Sequence, residues 1–179
     1  MTGRIDILRG DITAQHVDAI VNAANSSLYG GGGVDGAIHQ AAGIELIEHC
    51  RSLRRTTWPQ GLPTGQATAS PGGALAAQWV IHTVGPKYWE YPDGGAELLA
   101  ACHRNAMQVV ADIGARSVAF PAISCGIYGW KPAEAAPIAL GAVREMLTML
   151  PNVTLVQFVL FNDNTFEAFQ RAARELIDV

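Results

Sequence analysis

The sequence predicts an α/β fold: a sandwich of helices around a largely parallel central sheet. Three observations carry this prediction. Short apolar runs that read as strands alternate with stretches of helical spacing through most of the chain. Hydrophobic residues make up 49% of the 179 residues, enough for a real core and too many for disorder. Two glycine-containing loops leave the carboxyl ends of predicted strands, where open α/β sheets hold their ligands. The length suits a single domain over residues 1–179.

Taken in order, residues 4–9 (Arg-Ile-Asp-Ile-Leu-Arg) alternate as a first strand, and residues 10–13 break it. Ala19, Ile20 and Val21 form a buried strand leading into a glycine loop. Residues 38–55 carry helical spacing, with a break expected near Gly43. Residues 63–65 (Pro-Thr-Gly) are a turn, and 66–70 alternate small and polar residues as a strand that Pro71 and two glycines end. Residues 79–84 are a buried strand closed by Gly85 and Pro86, in which His82 reads as a hydrogen-bonded core histidine. An aromatic loop with Tyr88, Trp89 and Tyr91 follows; it either covers a cleft or packs on the surface. Leu98, Cys102, Ala106, Val109 and Ile113 mark one face of a long helix. A strand over 116–121 leads into the second glycine loop, and Pro132 suits the first turn of the helix after it. Leu140, Val143, Leu147 and Leu150 stripe that helix. Residues 153–161 form a last apolar strand, and Asn162, Asp163 or Asn164 caps a final helix carrying Phe166, Phe169, Ala173 and Leu176.

The chain is organised around residues 18–43. Two carboxamides, Asn22 and Asn25, fall where the buried strand gives way to a loop. Four consecutive glycines follow, Gly30, Gly31, Gly32 and Gly33, and then a helix opens with the lone carboxylate Asp35 in its first turn. A glycine run lets a ligand approach the main chain closely. Unpaired N–H groups at a helix start attract anions. The stretch therefore reads as a phosphate cradle with two amides and one acid beside it.

Several function classes are excluded. A net charge of −4 and the absence of any long basic run argue against nucleic-acid binding. No signal peptide is evident, and no apolar stretch is long enough to span a bilayer. Cys50, Cys102 and Cys125 lie at unrelated spacings, which suggests reduced thiols and a cytoplasmic setting. Residues 31–36 match G-x-G-x-x-G, but the motif is not hard against its strand and no second acidic-ended strand follows, so a dinucleotide site is not expected. Residues 122–126 approach a nucleophile elbow, yet the last histidine is His103, upstream of Ser124, and the required triad order fails. The five histidines show no metal-ligand spacing, and neither metal nor cofactor is expected.

The motifs as a set resemble the macrodomain family, and within it the MacroD-type branch. The resemblance spans essentially the whole chain. It rests on residues 10–13 (Gly-Asp-Ile-Thr), 22–25 (Asn-Ala-Ala-Asn), 30–43, 63–65, 80–86 and 120–129. It implies a three-layer α/β/α sandwich with a mixed, mostly parallel sheet that binds ADP-ribose. It further implies metal-free removal of ADP-ribose from acidic side chains of proteins, and deacetylation of O-acetyl-ADP-ribose.

Carried over by position, the resemblance implies roles that local reading alone does not. Asp11, by itself a turn residue, becomes the adenine selector, with the Ile12 backbone beside it. Phe161 becomes the aromatic residue packing on adenine. Asn22 is expected to bind the ligand; Gly31, Gly32, Gly33 and Val34 of the glycine loop form one jaw around the pyrophosphate, and Ser124, Cys125, Gly126, Ile127 and Tyr128 form the other. Asn25 holds the distal ribose, Asp35 is the catalytic carboxylate, and Tyr128 walls the distal ribose. The expected partners are ADP-ribose and ADP-ribosylated proteins, and the chain is expected to be a monomer. Cys125 replaces a usual threonine, Lys131 a common proline, and Tyr29 an aliphatic residue; these departures bear on the distal pocket and substrate preference. A non-catalytic ADP-ribose reader is the alternative reading, and a phosphatase acting on ADP-ribose phosphate a weaker third.

Overall fold

The computed structural model describes residues 2–177. Its six strands are β1 (Arg4–Arg9), β2 (Ala19–Ala23), β3 (Ala67–Pro71), β4 (Trp79–Thr83), β5 (Ser117–Phe120) and β6 (Leu155–Leu160). Its α-helices are α1 (Gly33–Ala42), α2 (Ile44–Arg55), α3 (Gly95–Asp112), α4 (Pro132–Met149) and α5 (Asp163–Leu176). The strands form one sheet in the order β1-β6-β5-β2-β4-β3. Every neighbouring pair is parallel except β3 with β4, so the sheet is mixed and mostly parallel.

Helices cover both faces, as buried parallel strands require. On one face Ala19, Val21, Val118, Phe120, Val156 and Phe158 meet α3, α4 and α5. On the other, Ile20, Val80, Ala119 and Val159 meet α1 and α2. Side-chain alternation along a strand sends Asn22 and His82 to this second face, with Ile20 and Val80. The sheet order changes direction where β2 lies beside β5, and such a switch point opens a crevice at the strands' carboxyl ends. The glycine loop after β2 and the loop after β5 flank it.

Most element boundaries fall within a residue or two of expectation. The break at residues 10–13 contains a short 3₁₀ turn, Ile12–Ala14. The α1–α2 break falls on Gly43, whose φ of 80° is the left-handed conformation glycine tolerates. The long helix α3 differs in its facing. Leu99, Cys102, His103, Ala106, Met107 and Val110 are its buried residues, while Leu98, Val109 and Ile113 flank them. His103 is the reason: its Nδ1 donates to the Leu99 carbonyl at 2.8 Å, and its ring stacks on Phe120 at 5.3 Å. Burial pushes this imidazole down to about 4, so it packs as a neutral aromatic.

Phe158 lies at the middle of this core, 5.5 Å from the Phe120 ring and 5.3 Å from Phe169. Phe158→Ala removes a fully buried ring that ties the sheet to α5. The expected loss is about 3–5 kcal/mol of stability, seen as a lower midpoint in urea unfolding with the slope unchanged.

Candidate functional site

Two adjoining cavities line the crevice. One, of about 440 Å³, is walled by Asp11, Ile12, Pro121, Cys125, Val159, Phe161 and Asn162, among others. The other, of about 280 Å³, takes in Asn25, Asp35, Gly31, Gly32, Ser124, Ile127 and Tyr128. Gly33, Val34, Ala122 and Gly126 line both, so the two form one continuous cleft with a waist between the loops.

The waist is built to hold an anion. Among the described residues, the main-chain N–H groups of Gly31, Gly32, Gly33 and Val34 find no acceptor. Those of Ser124, Gly126, Ile127 and Tyr128 are likewise free, whereas Cys125 spends its N–H on the Ala122 carbonyl at 3.2 Å. Gly32, the cap of α1, makes no side-chain capping bond, so the positive end of the helix faces the cleft open. Gly36 has a steric reason to be glycine: a Cβ there would fall 2.5 Å from the Gly31 carbonyl and push the loop outward.

At the wider end, Asp11 caps the 3₁₀ turn. Its Oδ1 accepts from the Thr13 amide at 2.9 Å and the Thr13 hydroxyl at 2.7 Å. Its Oδ2 has no hydrogen bond within the described residues and remains an acceptor for the cavity. The Phe161 ring is 80% exposed, an apolar surface on the same wall. Asn162 turns its Oδ1 to the Thr165 amide at 2.9 Å and caps α5.

At the narrower end, Asn25 and Asp35 converge. A Cβ added at Gly31 would lie 3.2 Å from Asn25 Nδ2 and 3.2 Å from Asp35 Oδ2. Asn25 donates to the Gly30 carbonyl at 2.9 Å, and its Oδ1 accepts from the Ser27 hydroxyl. Arg54, at the end of α2, clasps this loop from behind. It donates to the carbonyls of Ser27 and Trp58, each at 3.0 Å, and lies 5.2 Å from the Tyr29 ring centroid. Asp35 is buried, and desolvation raises its pKa; the Asn22 hydrogen bond and the charge of His39 oppose that rise.

Asn22 departs from expectation. It is fully buried and lines neither cavity. Its Nδ2 donates to Asp35 Oδ1 at 2.7 Å and supports the acid from beneath. The other residues expected in the site all line the cleft. His39 was missed: its Nε2 lies 3.4 Å from Asp35 Oδ1. Its signal was present, since residues four apart share a helix face. The aromatic loop lines neither cavity. It packs behind the second jaw, where the Tyr88 amide donates to the Tyr128 carbonyl at 2.9 Å and Tyr88 meets Trp130 edge-on.

A six-stranded mixed sheet between two helical layers, cleft at its switch point by two donor-rich loops, defines an α/β nucleotide-type binding domain. The chain belongs to the Macro domain family, whose model matches residues 21–139. An O-acetyl-ADP-ribose deacetylase of Cronobacter sakazakii is 50% identical over 172 residues, covering 96% of this chain and 94% of that protein. The Oceanobacillus iheyensis macrodomain, solved with ADP, matches with a TM-score of 0.95 at 43% identity, covering 99% of this chain and 93% of that one. The Trypanosoma brucei macrodomain in complex with ADP-ribose matches with a TM-score of 0.85 at 34% identity, covering 94% of this chain and 68% of that one.

Cys125 lines the cleft half-buried, and its raised pKa disfavours it as a nucleophile. Burial pushes its thiol up to about 12, which leaves on the order of 10³-fold less thiolate at neutral pH than an ordinary cysteine holds, partly offset by greater intrinsic nucleophilicity. Iodoacetamide at neutral pH is expected to alkylate Cys125 on the order of 10–10² times more slowly in the folded protein than in urea. Mass spectrometry of the Cys125 peptide over time reads the ratio.

Proposed function

We propose that the protein is an ADP-ribose-binding hydrolase. In this reading it removes mono-ADP-ribose from glutamate and aspartate side chains of proteins and deacetylates O-acetyl-ADP-ribose. The single observation that carries it is the convergence of a buried, hydrogen-bonded carboxylate, Asp35, with the Asn25 amide at the end of a cradle of free main-chain donors. The ADP-ribose complex of the trypanosomal relative and the deacetylase relative support the ligand and the reaction class.

The ligand lies along the cleft in this proposal. Adenine takes the wider cavity, with its exocyclic amine on Asp11 and its face on Phe161. The pyrophosphate takes the waist, where preorganised N–H groups from both loops neutralise it in a site of low water content. The distal ribose takes the narrower cavity between Asn25 and Tyr128, and Asn25 keeps the reacting atoms close.

Asp35 then acts as a general base. It accepts a proton from a water held between it and the phosphate, as the water oxygen bonds to the anomeric carbon and the bond to the protein carboxylate breaks. For the acetyl ester, the water adds to the carbonyl instead; the acyl C–O bond then breaks, the ribose oxygen leaves and takes up the proton that Asp35 accepted, and acetate is the other product. The raised pKa of Asp35 suits a base better than that of an ordinary carboxylate, provided it is ionised at working pH. One carboxylate suffices because the protein carboxylate is a good leaving group at the anomeric carbon, and an ester carbonyl is already activated towards water. Neither reaction calls for a metal or a cofactor.

Asp35→Ala is expected to lower kcat by about 10²–10⁴-fold, while calorimetry finds ADP-ribose bound within about tenfold of the wild-type affinity. Equal turnover by the two proteins would make this a reader of ADP-ribose instead. The substrate class has its own check. Glutamate-linked ADP-ribosyl protein is expected to be released and arginine-linked protein to persist, because the N-glycosidic bond to arginine presents a poor leaving group. Faster release from arginine, measured by loss of label from the two substrates, rejects the mechanism.

A further inference from the structure

Beneath Asp35 lie two buried side chains that the proposed chemistry does not use, His82 and Ser70. We propose that His82 is a positioning residue: held by Ser70 as its Nε2–H tautomer, it accepts an N–H of Asn22 at Nδ1 and so locks that amide with its donor side on Asp35. The proposal rests on reading Asp35 as the general base.

The argument begins with strand register. Asn22 and His82 are direct partners on the parallel strands β2 and β4, and both side chains face the α1–α2 layer. Asn22 Nδ2 lies 2.7 Å from Asp35 Oδ1 and 3.2 Å from His82 Nδ1. An amide nitrogen carries two hydrogens, so one nitrogen serves both acceptors. A hydrogen on His82 Nδ1 would oppose a donor to a donor. The ring proton therefore belongs on Nε2, which faces the Ser70 hydroxyl at 2.8 Å and Cys50 Sγ at 3.7 Å. Burial, with the charges of His39 and His49, pushes His82 down to about 3, so the imidazole stays neutral and keeps its Nδ1 lone pair.

The alternative orientation of Asn22 has nothing to recommend it. Its Oδ1 is buried and has no partner among the described residues. A flipped amide would turn that oxygen on the carboxylate and strand the His82 lone pair. While Asp35 is ionised, its own charge resists the flip. Once Asp35 has taken a proton in turnover, that charge is gone, and His82 becomes the group that keeps the donor in place for the next cycle. The other titratable groups facing Asp35 are His39, on its own helix, and Cys50, on α2; burial pushes the Cys50 thiol up to about 12, and it stays neutral.

The signature is spectroscopic and needs no substrate. Long-range ¹H–¹⁵N spectra of the wild type are expected to show His82 protonated at Nε2 and bare at Nδ1 from about pH 5 to 8. In His82→Leu the Asn22 amide loses its lock. The Asp35 carboxyl ¹³C titration is then expected to move up by about one pH unit, because the unlocked amide is free to turn its oxygen to the protonated acid and so favours the neutral form. The acid limb of kcat/KM follows, costing up to about tenfold in rate below the midpoint. Ser70→Ala keeps the ring and removes only the tautomer's anchor, and is expected to move the titration the same way by less. His82→Asn, which returns an acceptor near the Nδ1 position, is expected to recover part of the shift.

An Nδ1–H tautomer in the wild type overturns the proposal. So does an Asp35 midpoint unmoved in His82→Leu, or in Ser70→Ala should the leucine variant not fold. If these spectra come out as expected while the wild type hydrolyses no ADP-ribosyl ester, the hydrolase reading falls and the positioning of the Asn22 amide stands. If hydrolysis is found and the titration does not move, the reverse holds.

Discussion

The hydrogen bond from Asn22 to Asp35, 2.7 Å long and fully buried, is the constraint from which the site follows. It joins the end of β2 to the first turn of α1, and the chain between them must then close a fixed gap. That intervening segment contains Asn25 and the glycine run. With both ends held, the glycines cannot act as a loose linker. They form a bend whose N–H groups face inward, and Gly36 leaves room for the Gly31 carbonyl against the helix. The same bond favours the charged form of the carboxylate and opposes the rise in pKa that burial causes. Strand pairing, helix placement and acid chemistry thus meet at one contact.

Backbone and side chains divide the work along the cleft. The waist relies on main-chain donors from two loops, which carry no specificity for what lies on either side. The polar and aromatic side chains lie at the ends, with the free oxygen of Asp11 and the face of Phe161 at one, and Asn25, Asp35 and Tyr128 at the other. Supporting contacts lie behind each element. Arg54 secures the loop that carries Asn25, and the Tyr88–Trp130 pair backs the loop that carries Tyr128. These supports sit outside the cleft, so a substitution there acts through geometry rather than through ligand contact.

Much of this was legible in the sequence because it is written locally. The alternation of strands and helices, the switch to a glycine loop after β2, the acid in the first turn of α1 and the cap at Asn162 each depend on neighbours a few residues apart. What was not legible depends on pairing across the fold. The destination of the Asn22 side chain is set by α1 packing over β2, and the partnership of Asn22 with His82 spans sixty residues and a strand register. No periodicity announces either. The facing of α3 was misread for another reason: His103 behaves as an aromatic core residue between phenylalanines, and a polar letter hid the middle of the buried face. His39 lies between the two cases, visible by helical spacing from Asp35 yet meaningful only once that acid has a place.

The open amides at the waist belong to the polypeptide itself, and most substitutions leave a peptide N–H where it was; only proline deletes it. This part of the cleft therefore tolerates drift in side-chain identity so long as the bend is kept. Cys125 in place of a threonine is a change of that kind, at a position whose own amide is already spent within the loop. Substitutions can accumulate at the rim of the cleft while the open main-chain donors of its waist are kept.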